Sequence, residues 1–231
     1  MLEGHAGAVW GVATNTLGDL IASCGVDGTV RVWHADGSVP PLVLEGHHGG
    51  VRSVALGRDG ARVVSGGDDA TVRVWDARTG RLEATLEGHV AAVYGVALSA
   101  DGRLACSGGF DRAVRLWDVQ SGRPLDVLEG HEDAVYAVAL DAAGKMIASC
   151  SLDGTVKLWD MCSGNKAQRT LQPDRRYERM DITSLDGITT AQRGTLLALG
   201  ADTQPGSAPR QVHHAPPASL RIAAPWRQGH A

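Results

Sequence analysis

Residues 45–76, with the sequence EGHHGGVRSVALGRDGARVVSGGDDATVRVWD, open on Gly-His and close on Trp-Asp. The same frame recurs along the chain at a constant step of 42 residues. The histidine of the opening pair is His5, His47, His89 and His131, and the closing tryptophan is Trp33, Trp75, Trp117 and Trp159. A fixed period of this length indicates stacked supersecondary units, so it takes precedence over local propensity.

One repeat contains four short segments with a strand pattern, separated by turn residues such as Asp59-Gly60. In the second repeat they are residues 51–56, 61–65, 71–75 and 82–86. A unit of four short strands exposes both of its faces, and it must therefore stack on its neighbours. No segment before residue 188 has a helical period, which excludes a helical solenoid.

With these positions the chain resembles the WD-repeat family of β-propellers. The resemblance implies an all-β fold of four four-stranded blades, over residues 2–44, 45–86, 87–128 and 129–172. Leu2-Glu3-Gly4-His5 matches Leu44-Glu45-Gly46-His47, so the chain begins at the tail of a blade, while the fourth repeat supplies its own last strand. Propellers of this family usually close by sharing one blade between the termini, and no such split is visible. We expect either an open arc of four blades or a fragment of a larger propeller. A third alternative is that two chains pair to form a propeller of eight blades.

Each repeat carries His, Ser, Asp and Trp at fixed spacing. The four sets are His5, Ser23, Asp27 and Trp33; His47, Ser65, Asp69 and Trp75; His89, Ser107, Asp111 and Trp117; and His131, Ser149, Asp153 and Trp159. A Ser-His-Asp set suggests a hydrolase, but a nucleophile site occurs once in a chain and this set occurs four times. The family resemblance implies instead a hydrogen-bond network that braces each blade, with Asp in the turn between the second and third strands. We therefore expect structural residues and no catalytic site.

Two further positions differ between repeats, as binding residues should. The position after the first valine of each repeat's first strand holds Trp10, Arg52, Tyr94 and Tyr136, and the position before the turn aspartate holds Val26, Asp68, Phe110 and Leu152. In the family both positions point to the top face, where partners bind, and aromatic residues and Arg dominate binding hot spots. We expect Trp10, Arg52, Asp68, Tyr94, Phe110 and Tyr136 to bind a protein or peptide, the alternative being that the rings only cover strand ends.

The composition argues against several classes of function. Residues 1–165 hold 13 basic and 21 acidic side chains, and an acidic body argues against nucleic-acid binding. No apolar run reaches the roughly 18–20 residues of a membrane helix.

Neither a local His/Cys cluster for a metal nor a cofactor motif is present, and His213-His214 is expected to be solvated. Without CxxC pairs, the cysteines Cys24, Cys106, Cys150 and Cys162 are expected to be free thiols. Met1 leads directly into the first repeat without a signal peptide, so we expect a cytoplasmic location.

Residues 173–201 depart from the repeats and predict a short strand and a helix. Residues 176–183 and 196–201 resemble the end of bacterial signalling ATPases of the STAND type, although the phosphate-binding GxxxxGK[ST] motif is absent. The resemblance implies an alternative function as a sensor or autoinhibitory fragment of such a protein. Residues 202–231 hold five of the nine prolines and predict a disordered tail. Open blade edges also predict self-association.

Overall fold

The computed structural model describes residues 2–162 and 167–172 of the chain. These residues form sixteen strands in four separate four-stranded sheets. Within each sheet the strands are antiparallel neighbours in chain order, so each sheet is a simple meander. The prediction of an all-β fold with four four-stranded blades is confirmed. The predicted extension over 173–201 and the predicted tail over 202–231 lie outside the described residues.

The strands of the first two blades have the same lengths except for the last one. Blade one comprises β1 (Val9–Thr14), β2 (Leu20–Gly25), β3 (Val30–His34) and β4 (Leu42–Leu44). Blade two comprises β5 (Val51–Leu56), β6 (Arg62–Gly67), β7 (Val72–Asp76) and β8 (Leu82–Leu86). In blade two, the first and last strands have the predicted bounds, and β6 and β7 are displaced by one or two residues. Strand β4 is the shortest, because Pro40 and Pro41 precede it and a proline has no N–H to donate to the ladder.

Blades three and four repeat this plan. Blade three comprises β9 (Val93–Leu98), β10 (Leu104–Gly109), β11 (Val114–Asp118) and β12 (Pro124–Leu128). Blade four comprises β13 (Val135–Leu140), β14 (Met146–Ser151), β15 (Val156–Asp160) and β16 (Ala167–Leu171). The first strand of each blade packs beside the first strand of the next, so β1, β5, β9 and β13 are the innermost strands.

The core lies between consecutive blades rather than inside any one of them. One cluster joins Val30 and Leu44 of blade one to Val54 and Trp75 of blade two, and two equivalent clusters lie between the later blades. The tryptophans Trp75, Trp117 and Trp159 are almost completely buried. Each inter-blade layer therefore removes two apolar sheet faces from water, which is the main stabilising contribution in a stacked architecture.

The arc is open, and its two ends show it. Val12 on the innermost strand of blade one is 68% exposed, whereas Val54 at the same position of blade two is 7% exposed. At the other end, Val156 is 37% exposed, whereas Val114 at the same position of blade three is fully buried. The first and last blades thus each present one sheet face that the other blades bury.

Candidate partner-binding face

A β-bulge stands at the start of every innermost strand. In blade two, Val51 pairs with Gly67 and Ser53 pairs with Gly66, which leaves Arg52 as the extra residue. The same shift of register occurs in the other three blades. The extra residues are Trp10, Arg52, Tyr94 and Tyr136. Because a bulge redirects a side chain out of the regular alternation, the fold turns one large side chain of each blade toward the same end of the arc.

These four side chains form one continuous row, which we call the upper row. The guanidinium carbon of Arg52 lies 4.0 Å from the centroid of the Trp10 ring and 5.5 Å from that of Tyr94. Tyr94 in turn stacks on Tyr136, with ring centroids 5.0 Å apart and planes tilted by 28°. Each contact crosses from one blade to the next, so the row is built only when the blades are stacked.

Arg52 is held at the centre of the row by Asp68. Its Nε donates to one carboxylate oxygen at 2.6 Å and its Nη2 donates to the other at 3.2 Å. This hydrogen bond is the main reason why the pKa of Arg52 is raised. The paired geometry fixes the plane of the guanidinium, and a planar cation in this position stacks well on the rings on either side.

A rim of apolar side chains surrounds the row. Phe110 meets Tyr94 edge-on, with ring centroids 6.1 Å apart. The exposed large apolar residues in the loops at this end of the blades are Val26, Val90, Phe110 and Leu152. Val90, at 85% exposure, has no counterpart in the sequence prediction, because its loop follows the Gly-His pair and carries no repeated apolar position. Together the upper row and this rim form the upper face, an exposed apolar surface of the kind that marks interaction sites.

Beneath the upper face, the His, Ser, Asp and Trp of each repeat are connected in series. In blade two, His47 Nδ1 lies 3.0 Å from the Asp69 carboxylate and its Nε2 lies 2.8 Å from Ser65 Oγ. The indole Nε1 of Trp75 donates to the same Ser65 Oγ at 2.9 Å. The other three blades have the same contacts at 2.8–2.9 Å.

The direction of these hydrogen bonds assigns the histidine tautomer. The ionised Asp69 carboxylate can only accept, so His47 Nδ1 carries the proton that is donated to it. Burial favours the neutral ring, whose Nε2 then accepts the hydroxyl proton of Ser65, while Ser65 Oγ accepts from Trp75. A second proton on the ring would leave the hydroxyl proton of Ser65 without an acceptor. Burial correspondingly lowers the pKa of His47, against the raising effect of Asp69.

The connectivity Ser–His–Asp is that of a hydrolase triad, yet the serine has no access to a substrate. Ser65 and Ser107 are fully buried, and each hydroxyl is enclosed by hydrogen bonds to its histidine and to the indole of Trp75 or Trp117. A nucleophile must be able to reach a reacting carbon. The sets therefore brace the blades, and their geometry excludes these serines as nucleophiles.

Two contacts of the aspartates were missed from the sequence. A backbone N–H just after each histidine donates to the carboxylate, for example that of His48 to Asp69 at 3.0 Å. In blades one, two and four a threonine two residues after the aspartate also donates to it, as Thr71 does to Asp69 at 2.8 Å. Blade three has Ala113 at this position. The spacing Asp-x-Thr in three repeats was the signal that could have revealed the second contact.

Burial raises the pKa of these aspartates, but their hydrogen bonds lower it more strongly. For Asp69 the bonds from His48 and His47 are the largest of them, and the net effect lowers the pKa to about 2. The pKa values of Asp27, Asp111 and Asp153 are lowered by the same kinds of contact. The carboxylates are thus charged acceptors over the whole physiological range.

Within residues 2–162 and 167–172, no three His, Cys, Asp or Glu side chains converge as metal ligands. The same residues contain no helix long and apolar enough to cross a membrane. The cysteines Cys24, Cys106, Cys150 and Cys162 are free, and burial raises the pKa of Cys24 and Cys106 to about 12.

Comparison with known proteins finds similar short stretches in larger proteins. Striatin-4 of Homo sapiens is 50% identical over 40 residues, which are 17% of this chain and 5% of that protein, and Striatin-4 of Mus musculus gives the same values. The probable cytosolic iron-sulfur protein assembly protein Ciao1 of Drosophila mojavensis is 46% identical over 37 residues, or 16% of this chain and 11% of that protein. The matched stretch is thus a small part of each relative.

A family model matches four times in succession, and each match ends on the last residue of the third strand of a blade. The model is that of the WD domain, G-beta repeat, and the matched residues are 1–34, 38–76, 80–118 and 122–160. These matches cover more than half of the 231 residues. The chain belongs to the WD domain, G-beta repeat family.

Proposed function

We propose that this chain is a non-catalytic interaction module whose upper face binds a segment of another protein. The observation that carries the proposal is the upper row, in which Trp10, Arg52, Tyr94 and Tyr136 stack across all four blades. Proteins built from WD repeats generally serve as protein-interaction scaffolds, which supports the same function.

The row is suited to binding because it is exposed and already ordered. Trp10 and Tyr136 are 39% and 52% exposed, and both are held by stacking contacts within the chain. A rigid aromatic side chain loses little conformational freedom when a partner covers it, so more of the interaction energy appears as affinity. Side chains that only covered strand ends would be expected to pack down rather than stand half-exposed in a row.

Charge at the rim indicates which kind of partner fits. The positive charge of Arg52 is already matched by Asp68, whereas Glu132 and Asp133 stand exposed in the loop just before Tyr136. A partner segment with an apolar or aromatic side chain on the row and a lysine or arginine beside Tyr136 would complement this face.

The proposal is tested by selecting peptides from a random display library on the wild-type chain. The selected peptides are then titrated against the variants Tyr94→Ala and Tyr136→Ala by calorimetry. Leu17→Ala is the matched control, because Leu17 is 82% exposed in the turn at the opposite end of β1. We expect enrichment of aromatic and basic residues, a loss of affinity of about tenfold or more in the tyrosine variants, and none in the control. Equal affinity for all variants would overturn the proposal.

The alternative function as a fragment of a STAND-type ATPase depends on residues 173–201, which lie outside the described residues. It stays a prediction.

A further inference from the structure

The two ends of the arc carry opposite halves of one interface. We call the side of a blade that meets the preceding blade its leading face, and the side that meets the next blade its trailing face. The leading face of blade one carries Val9 and Val12, and the trailing face of blade four carries Cys150, Val156 and Leu171. In the three internal interfaces, residues at these positions pack against each other.

The leading face of blade one is exposed only because no blade precedes it in the structure. Val9 is 53% exposed, whereas Val51, Val93 and Val135 at the same position of the other blades are fully buried. Val12 is likewise exposed, although it occupies the position that Val54 and Val96 fill in the buried layers. At both positions, blade one thus carries the same valine that the following blades bury against the blade before them.

The trailing face of blade four shows the same contrast. Leu171 is 43% exposed, whereas its counterparts Leu44, Leu86 and Leu128 are at most 1% exposed. Val156 also keeps the valine that is buried in every earlier blade. An apolar sheet face of this kind favours a partner that buries it.

The internal interfaces show which residues would meet. A Cβ placed on Gly66 of blade two would lie 2.6 Å from Val93 Cγ1 and 2.9 Å from Val96 Cγ1 of blade three. Cys150 occupies the position of Gly66 in blade four, and Val9 and Val12 occupy those of Val93 and Val96 in blade one. Blade one already accommodates a cysteine at this position, because Cys24 is buried in the same cluster as Val51 and Val54.

We propose that a second copy of this chain docks head to tail, with its blade one leading face on the blade four trailing face of the first. The contact repeats the inter-blade layer that the chain already forms three times within itself. It would also bring Trp10 of the second copy beside Tyr136 of the first, so the upper row would continue from one copy into the next. A contact of this type is heterologous, and it either closes into a ring or continues by further addition.

Cysteine trapping tests the pairing at the level of residues. One chain carries Val12→Cys, Cys150→Ser and Cys162→Ser, and a second, differently tagged chain carries Cys162→Ser alone and so keeps Cys150. Apart from the thiols under test, only the buried Cys24 and Cys106 remain. The full-length chains are mixed, oxidised with diamide and separated by non-reducing electrophoresis and mass spectrometry.

We expect a mixed disulfide between the introduced thiol at position 12 and Cys150 of the other chain. At the equivalent positions of blades two and three, a Cβ on Gly66 would lie 2.9 Å from Val96 Cγ1, which is close enough for two cysteines to bond. A disulfide joining two position-12 thiols, or no cross-link at all, would overturn the proposal. A chain that carries Val12→Cys together with Cys150 and yields only an intramolecular disulfide would also overturn it, since the arc would then close on itself.

Light scattering tests the same docking independently, without an introduced cysteine or a disulfide. The wild-type chain should show a mass that rises with concentration above the 24.2 kDa of one copy. Val12→Asp should return the mass to that of one copy, whereas Leu17→Asp, in the β1–β2 turn and more exposed than Val12, should leave it unchanged. Circular dichroism of both variants shows that the strands are retained. A wild-type mass that stays at one copy over the whole range would contradict head-to-tail docking.

Discussion

The guanidinium carbon of Arg52 lies 4.0 Å from the centroid of the Trp10 ring on the neighbouring blade, while two of its nitrogens donate to Asp68. Since it also lies 5.5 Å from the Tyr94 ring of blade three, this one side chain connects three blades and the turn that contains Asp68. Because the ring and the carboxylate act on the same guanidinium, Arg52 should contribute more to stability than an ordinary surface ion pair.

Arg52→Ala should therefore lower the free energy of unfolding by about 1 kcal/mol. The matched control is Arg62→Ala, because Arg62 donates to Glu83 at 2.7 Å with similar exposure and, among the described residues, has no cation–π contact. The control should change stability by no more than about 0.5 kcal/mol. Urea denaturation of both variants gives the comparison, and equal effects would mean that the contacts of Arg52 with the Trp10 and Tyr94 rings contribute nothing to stability.

Asp69→Ala should destabilise the chain far more, by about 3 kcal/mol, because it removes the acceptor of several donors at once. The donors include His47 Nδ1, the His48 N–H and Thr71 Oγ1. Asp59→Ala is the control in the same blade, because Asp59 is exposed and accepts a local bond from the Ala61 N–H. Thermal and urea unfolding of the two variants should differ clearly, and similar values would show that the bracing network is unimportant.

Ala113→Thr should stabilise blade three by about 0.5–1.5 kcal/mol. It introduces a hydroxyl at the position where Thr71 donates to Asp69 at 2.8 Å, and so offers Asp111 the hydrogen bond that it lacks. Ala113→Val has the same shape without the hydroxyl and should give no comparable gain. If valine stabilises as much as threonine, the effect comes from packing and not from the hydrogen bond.

Stability should fall in two stages as the solution is acidified. Burial lowers the pKa of His47 below its ordinary 6.5, so the unfolded chain binds this proton more readily and stability decreases as the pH falls below 6.5. The carboxylate of Asp69, whose pKa is lowered from 3.8 to about 2, contributes fully above pH 3.8 and loses its contribution between 3.8 and 2. Asp27 and Asp153 add to this second stage.

Urea denaturation at a series of pH values measures both stages. The side chain in His47→Gln is neutral and does not titrate. This variant should therefore show a weaker dependence of the free energy of unfolding on pH just below pH 6.5, and it should keep the loss of stability between pH 3.8 and 2. A stability that is constant from pH 7 to 4 in the wild-type chain would contradict the neutral histidine assigned to the network.

The blades could be predicted from the sequence because the constant period of 42 residues indicates four equivalent structural units that stack on one another. The strand Ala167–Leu171 lies inside the predicted fourth repeat, residues 129–172, although blade four has one more residue before its last strand than blade three. The four bracing sets could likewise be named in advance, because each occurs at fixed spacing.

The arrangement of the upper face could not be derived in the same way. That Trp10, Arg52, Tyr94 and Tyr136 are all bulge residues depends on the register between two strands, which the pattern of residue types does not specify. Arg52 and Asp68 are separated by 16 residues, and they meet because Val51 pairs with Gly67, which places the bulge residue beside the first residue of the turn. The exposure of Val12 and Val156 depends on the absence of a neighbouring blade rather than on either residue.

The central claim is that partners bind at the upper row, and hydroxyl-radical footprinting tests it most directly. The wild-type chain is oxidised with and without a saturating selected peptide, and the modification of each side chain is read by mass spectrometry. Binding at the row should lower the oxidation of Trp10, Phe110 and Tyr136 severalfold while Leu17 and Leu125, exposed away from the row, remain unchanged. Protection of Leu17 or Leu125, with Trp10 and Tyr136 oxidised as in the free chain, would contradict the account.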